Sequence, residues 1–216
     1  MNICNRIAER VGNPLEWPSS QKASLLMNLY FFQQCFYFIS LQSLLSSDFS
    51  HYLDTDLSEF HSSIFKSLMI LTLGIILFIK VTQKRYRDSS MYEHIAAQHF
   101  AVTHVYYGYT IGLMSMATGV VLAGAPVVGF IFFHRRAVAV AFTNALIALV
   151  ALSLLTSSGH IPYAPIAQNI APMDGQLLTF WVIAYCTLAA PHVFAIFGLA
   201  YYILQRWRLR EEQVQY

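Results

Sequence analysis

Histidines are the residues most suited to chemistry in this chain of 216 residues, which contains eight of them. Three follow one another at intervals of five residues, at His94, His99 and His104. Successive members of this series are rotated by about 140° on an α-helix, so the three imidazoles do not share one face. A metal or ligand site on this helix therefore needs a residue from another helix.

His192 is the expected partner of His104. We place His104 about one turn inside the bilayer on the cytoplasmic side, and His192 in the cytoplasmic half of the last apolar stretch. Two facing imidazoles can ligate haem iron, so we predict His104 and His192 as candidate haem ligands. The alternative is that each imidazole donates a hydrogen bond to a neighbouring helix and only stabilises the bundle.

A pocket in the cytoplasmic half of the bundle is predicted around these two histidines. Tyr185 lies seven residues before His192 and therefore on the same helix face. The predicted ligand-binding residues are His99, His104, His192, Tyr107, Asn144 and Tyr185. A lipid-soluble quinone or a lipid is the alternative to haem, because Tyr and His can hydrogen-bond a carbonyl at low dielectric. For each residue, a hydrogen bond between helices is the alternative role.

Enzyme signatures give little support for catalysis. The sequence contains no H-x-x-x-H or H-x-x-H-H cluster, no Walker loop and no G-x-G-x-x-G. Ser115 lacks the final glycine of a rhomboid-like G-x-S-G motif, and Cys4, Cys35 and Cys186 form no C-x-x-C pair. We assign no catalytic residue. A stand-alone membrane haem oxidoreductase or an intramembrane hydrolase is the alternative function.

Composition indicates that these residues belong to a membrane protein. Hydrophobic residues make up 56% of the chain and charged residues 11%, whereas soluble domains carry about 25% charged residues. The 13 Lys and Arg nearly balance the 11 Asp and Glu, so no overall basic field attracts nucleic acid. We predict one polytopic membrane domain, with membrane lipid as a partner and no nucleic acid.

Five or six apolar stretches qualify as membrane spans, each of which needs about 20 residues. The stretches are Ala23–Ser46, Ile64–Ile79, Phe100–Ala117, Thr118–Phe133, Ala137–Thr156 and Leu177–Leu204. Only small residues separate the third stretch from the fourth, so one long, bent span would leave five helices.

The distribution of Lys and Arg favours six spans. With six spans and both termini in the cytoplasm, twelve of the thirteen basic residues fall on the cytoplasmic side, Lys66 being the exception. The loops 47–63 and 157–176 contain no Lys or Arg. We therefore predict an all-α bundle of six transmembrane helices. Residues 1–22 and 205–216 are its cytoplasmic ends, and residues 23–204 form the membrane domain.

Local signals mark two of these helices. Ser90 and Glu93 form an S-x-x-E capping box, which predicts that the third helix starts at Ser90. Gly108 and Gly112 form a small-xxx-small pair that permits close helix approach. In the last span, Pro191 removes one helical hydrogen bond and frees a backbone carbonyl. That helix is expected to continue into the cytoplasm, because no Gly or Pro follows Leu204.

Several stretches resemble the membrane sensor regions, of MASE type, of bacterial GGDEF diguanylate cyclases. They are residues 118–136 (TGVVLAGAPVVGFIFFHRR), 161–165 (IPYAP) and 174–176 (DGQ). The ending RLREEQVQY resembles the signalling helix that leads into a GGDEF domain. The resemblance covers about residues 90–216, which contain no GGDEF signature and no GTP site. Class III adenylyl cyclases use similar membrane anchors.

This resemblance implies a sensory and dimerisation module in the bacterial inner membrane. The module would regulate an attached cytoplasmic cyclase, which makes cyclic di-GMP from GTP, through the helix after the last span. Two GGDEF domains must meet to join two GTP molecules, so the resemblance implies a homodimer or a higher homo-oligomer. On this interpretation, the 216 residues are the regulatory part of a longer protein and respond to a small-molecule or redox ligand.

Overall fold

In a computed structural model, which describes residues 14–113, 115–167 and 179–214, the chain is a bundle of α-helices. The six helices of the described residues are α1 (Ser19–Leu45), α2 (Thr55–Thr82), α3 (Met91–Ile111), α4 (Met116–Phe132), α5 (Arg135–Ser157) and α6 (Thr179–Val214). Two short 3₁₀ turns cover Pro14–Glu16 and Asp48–Tyr52. The described part contains no β-strand, only an isolated bridge between Leu53 and Ala167. The predicted all-α class is confirmed.

Three described helices are long and apolar enough to cross a membrane: α2, α5 and the Thr179–Gln205 portion of α6. A fourth helix is apolar but shorter, over Val121–Phe132. Large apolar side chains cover the outer faces of these helices, and Ile147 and Phe194 are 63% and 77% exposed. Water does not favour so much exposed apolar surface on several helices. The helices therefore indicate a membrane protein.

A tight turn separates α3 from α4. Gly112 ends α3 with a φ of +114°, a conformation that glycine adopts without steric cost. Ser115 then caps α4, because its hydroxyl oxygen accepts a hydrogen bond from the backbone N–H of Thr118 at 3.3 Å. The prediction of two helices here is confirmed, but the predicted boundary after Ala117 is wrong. The break comes earlier because Gly112 and Ser115 supply the turn.

One end of the bundle, here called the basic end, is marked by basic residues, among them Lys80, Lys84, Arg85, Arg87, Arg135 and Arg136. Helices α1 and α3 begin at this end and α2 ends there. The backbone N–H of Ser20 donates to the carbonyl of Arg87 at 3.2 Å, and the hydroxyl of Tyr92 donates to Thr82 Oγ1 at 2.8 Å. Neighbouring helices therefore run in opposite directions.

The opposite end, here called the acidic end, carries four acidic residues: Asp48, Asp54, Asp56 and Glu59. Residues 158–167, which follow α5, fold across this end. The backbone N–H of Asp54 donates to the carbonyl of Ile166 at 3.1 Å, and the N–H of Ile166 donates to the carbonyl of Thr110 at 3.1 Å. These bonds tie the loop before α2 to the last turn of α3, and bury Ile166.

Helix α3 is the centre of the bundle, because it packs against α1, α2, α4 and α5. Its buried face includes Tyr92, Ala96, His104 and Tyr107. Helix α6 packs mainly on α4, where a Cβ added at Gly124 would lie 3.0 Å from Ile196. The last helix therefore has most of its surface outside the central core.

The predicted capping box at the start of α3 does not form. Ser90 precedes the helix as expected, but it has helical dihedral angles and its side chain makes no capping hydrogen bond. The carboxylate of Glu93 instead accepts a hydrogen bond from the backbone N–H of His134, at the start of α5. The carboxylate of Glu93 therefore bonds the start of a neighbouring helix and does not cap its own helix.

Candidate ligand-binding site

A cavity with a volume of about 600 Å³ lies in the half of the bundle near the acidic end and is here called the larger cavity. Helices α1, α2, α3 and α6 form its sides with Thr118 of α4, and the 3₁₀ turn after α1 and Ile166, in the loop after α5, close its end. Six aromatic side chains line it: Tyr37, Phe49, Phe65, Tyr107, Phe180 and Trp181. Pockets of roughly 300–1,000 Å³ suit small organic ligands.

Packing among these rings holds the cavity wall in shape. The ring of Phe180, at the start of α6, stacks on Tyr52 with centroids 4.4 Å apart and on Phe49 at 5.4 Å. Trp181 packs edge-on against Phe180 at 5.1 Å and is 3% exposed. Stacked and edge-to-face aromatic pairs contribute about 0.5–1.5 kcal/mol each beyond burial. The first turn of α6 is therefore fixed against the turn after α1.

The cavity surface is neutral and largely apolar. None of the described lining residues carries a formal charge. The polar side chains besides the tyrosines, His104 and Trp181 are small hydroxyls, at Ser40, Ser43, Thr110, Thr118 and Thr187. An ion bound here would lose its hydration without gaining a counter-charge. The cavity therefore suits a neutral molecule.

A smaller cavity, of about 170 Å³, lies towards the basic end. All helices except α2 contribute to its wall, which includes Leu26, Tyr30, Phe132, Val138 and Leu199. Its described lining also lacks charged residues. Of the described residues that the sequence predicted to bind a ligand, His104 lines this cavity.

His104 lines both cavities. Its imidazole stacks on Phe100 with ring centroids 5.3 Å apart, lies 6.3 Å from the ring of Tyr30, and is 5% exposed. The central position of α3 thus places this histidine between the two spaces. Of the residues predicted from sequence, His104 has the position best suited to contact a ligand.

His99 lies in a polar cluster between α1, α2 and α3 and lines neither cavity. The hydroxyl of Thr72 donates to Gln34 Oε1 at 2.8 Å and lies 2.7 Å from His99 Nε2. Thr72 and Gln34 are both fully buried. Nearby, the hydroxyls of Tyr30 and Thr103 lie 2.5 Å apart. This cluster joins three helices by hydrogen bonds, which was the alternative role for His99.

The other predicted lining residues divide between cavity and helix contacts. Tyr107 lines the larger cavity. Tyr185 donates its hydroxyl proton to the carbonyl of Ile111 at 2.8 Å, and the amide of Asn144 donates to Gln98 Oε1 at 2.8 Å. Asn144 is exposed. Tyr185 and Asn144 therefore link neighbouring helices and line neither cavity.

Haem is not a good match for the lining that the structure describes. Bis-histidine ligation of His104 requires His192, whose side chain lies outside the described part, so that pairing stays a prediction. Haem also carries two anionic propionates, and neither cavity presents a Lys or Arg among its described lining residues. Within that part of the chain, no group of three or more His, Cys, Asp or Glu side chains is arranged to hold a metal ion.

Sequence reasoning missed most of the aromatic wall. Phe49 and Phe180 are 131 positions apart in the sequence, and no local pattern connects them. Their positions in a 3₁₀ turn and at a helix start would identify each as an interfacial aromatic residue. Only the fold brings them together.

No protein-family model matches this chain, and neither a curated protein nor a solved structure does. The resemblance to MASE-type sensor regions therefore rests on the sequence features alone.

Proposed function

We propose that this chain is a membrane-embedded sensory and dimerisation module. It binds a small molecule within the bundle and regulates an attached cytoplasmic nucleotide cyclase, in the first place a diguanylate cyclase that makes cyclic di-GMP from GTP. The observation that carries the proposal is the course of α6. Ala184, Thr187 and Leu188 line the larger cavity, and the same helix continues to Val214 after Ala195, Ile196 and Leu199, which line the smaller one.

The length of α6 supports its role as the output. Its 36 residues correspond to about 54 Å at the usual helical rise, compared with a hydrocarbon core of about 30 Å. Some 15 residues follow Leu199, the last residue of α6 on a cavity wall. A helix of this length carries a change at the cavity beyond the membrane surface.

The proposed topology is six membrane spans with both termini in the cytoplasm of a bacterium, across its inner membrane. The basic end would face the cytoplasm, in agreement with the positive-inside bias. The acidic end would face outward, where the larger cavity and the loop over it lie. Binding of a ligand in the outer half would then be transmitted by α6 to the cytoplasmic side.

The proposed mechanism is a shift between two packings of α6 against the rest of the bundle. Contacts of α6 with α4 dominate its packing, whereas the first turn of α6 is held by the aromatic rings of the turn after α1. A ligand that binds one packing more tightly increases the population of that packing. Rotation or translation of α6 in each protomer of a homodimer would then change how two attached cyclase domains meet.

The reading frame beyond the codon for Tyr216 tests this proposal. We expect it to continue into a GGDEF or an adenylyl cyclase domain. A stop codon directly after Tyr216 would refute the regulatory role and favour a stand-alone membrane enzyme. With the full natural chain in lipid nanodiscs, Ala184→Trp is expected to change the rate of cyclic nucleotide synthesis. The matched change Val182→Trp, on an exposed position outside both cavities, is expected to leave it unchanged.

A further inference from the structure

We infer that the larger cavity binds a neutral, mostly apolar molecule that carries a hydroxyl or N–H donor, with this donor on the backbone carbonyl of Thr187. The inference names the ligand class of the proposed sensor. It rests on the proposed function only for the consequence of binding, because the site itself follows from the cavity and from the backbone of α6.

Pro191 leaves one backbone carbonyl of α6 without its usual helical donor. In an α-helix the carbonyl of Thr187 accepts its hydrogen bond from the N–H four residues later, and that position is Pro191, which has no N–H. Thr187 lines the cavity. A carbonyl without a donor in apolar surroundings is unfavourable. A donor on a ligand satisfies it.

The neighbouring carbonyl shows that this turn of α6 is open to donors from across the cavity. The hydroxyl of Tyr37 on α1 donates to the carbonyl of Leu188 at 3.4 Å. Tyr37 and Leu188 both line the cavity. A side-chain donor therefore reaches the backbone of α6 in this turn, and the carbonyl of Thr187 is the preceding one in the chain.

The cavity is accessible from the side of the bundle. Lining residues on α1 and α6 are exposed, among them Ser43, Thr187 and Ile183, and Ile183 is 61% exposed. In the proposed topology this side faces lipid. The ligand therefore enters from the bilayer, which agrees with its mostly apolar character.

Photoaffinity labelling of the full chain in lipid nanodiscs tests the site. The probe is a diazirine derivative of octanol, which is neutral and has a hydroxyl donor, and mass spectrometry maps the labelled residues. We expect saturable labelling around Ser43, Ile183 and Thr187, which excess octanol suppresses. Labelling that is not saturable, or that lies mainly on the outward-facing Phe194 and Phe197, would overturn the inference.

Two comparisons isolate the hydrogen bond and the cavity. Pro191→Ala restores the missing N–H, so labelling by the hydroxyl probe should fall about 2- to 10-fold, the effect of one hydrogen bond. Labelling by the same diazirine without a hydroxyl should not change. Ala184→Trp fills the cavity and should abolish labelling by both probes, whereas Val182→Trp should not. Equal effects of Pro191→Ala on the two probes would exclude the carbonyl as the acceptor.

The outcomes separate this inference from the proposed function. If Ala184→Trp fails to fold, the competition by octanol in the unaltered protein still decides whether the site exists. Saturable labelling together with a stop codon after Tyr216 would establish the site and refute cyclase regulation. A cyclase domain downstream without saturable labelling would refute the site and leave the regulatory role intact.

Discussion

The carboxylate of Glu93 on α3 accepts a hydrogen bond from the backbone N–H of His134 at 2.5 Å. His134 immediately precedes α5, and Glu93 is 3% exposed. A helix N-terminus presents unpaired N–H groups and a partial positive charge, both of which stabilise an anion. The central helix therefore supplies the acceptor that α5 needs at its start, and this contact fixes the two helices at the basic end.

Removal of this carboxylate should loosen the basic end. Glu93→Ala is expected to lower the free energy of unfolding by about 1–3 kcal/mol, because the backbone N–H of His134 loses a charged acceptor. Glu93→Gln keeps an acceptor without the charge and should cost less. Denaturant titration of the purified protein in detergent measures both. Glu59→Ala, at an exposed acidic position, is the control, and an equal loss there would contradict the prediction.

Gly108 allows α3 and α4 to approach closely. A Cβ added at this position would lie 2.6 Å from Thr118 Oγ1 and 2.9 Å from Thr118 Cγ2. Gly108→Ala should therefore destabilise the protein by about 1–3 kcal/mol through overpacking. In a protein that already carries Thr118→Ala, which removes both clashing atoms, the same titration should show a smaller loss for Gly108→Ala.

Gly74 provides a matched control for this effect. It also lies within a helix, but an added Cβ there has no neighbour within 4 Å. Gly74→Ala should be neutral or stabilise by roughly 0.5–1 kcal/mol, because alanine has the higher helix propensity. Similar losses for Gly108→Ala and Gly74→Ala would show that the clash with Thr118 is not the cause.

The hydroxyl of Thr72 should be important for the packing of three helices. Thr72→Val keeps the shape but removes the hydroxyl between Gln34 and His99. The buried Gln34 and the half-buried His99 then lose a partner, so we expect a loss of about 1–3 kcal/mol in the free energy of unfolding. Thr72→Ser should be close to the unaltered protein. Thr156→Val, where the hydroxyl bonds its own helix, should cost less, and an equal cost would argue against the interhelical bond.

The number of helices could be predicted from the sequence, whereas the position of one boundary could not. Positive charges accumulate on one side of a membrane, and this long-range signal separated α3 from α4 correctly. The apolar run from Phe100 to Phe133 contains no polar loop that would mark the turn. The break is set by the backbone of Gly112, whose φ of +114° depends on how α3 and α4 pack.

The candidate site was predictable to a lesser degree. A histidine in an apolar stretch is costly and therefore noticeable, which selected His104, a residue that lines both cavities. The same reasoning selected His99 and Asn144, because sequence does not distinguish a ligand contact from a hydrogen bond between helices. The aromatic wall around Trp181 is assembled from four helices and a turn, so its members have no shared spacing.

The purified protein should be colourless. The described cavity walls are neutral and suit an uncharged organic molecule, not the two propionates of haem. We therefore expect no Soret band in the absorption spectrum, even after expression with added haem precursor and iron. A Soret band that is lost in both His104→Ala and His192→Ala, and kept in His99→Ala, would overturn this prediction and establish bis-histidine haem.

Accessibility of single cysteines should reveal the topology. The natural cysteines are first replaced by serine: Cys4, Cys35 and Cys186. Four exposed positions then receive one cysteine each, and intact cells are treated with a maleimide that does not cross membranes. Ser46→Cys and Ser158→Cys at the acidic end should react directly, because the loops there contain no Lys or Arg. Asp88→Cys and His134→Cys at the basic end should react only after permeabilisation, and direct labelling of His134→Cys would rule out six spans with both termini in the cytoplasm.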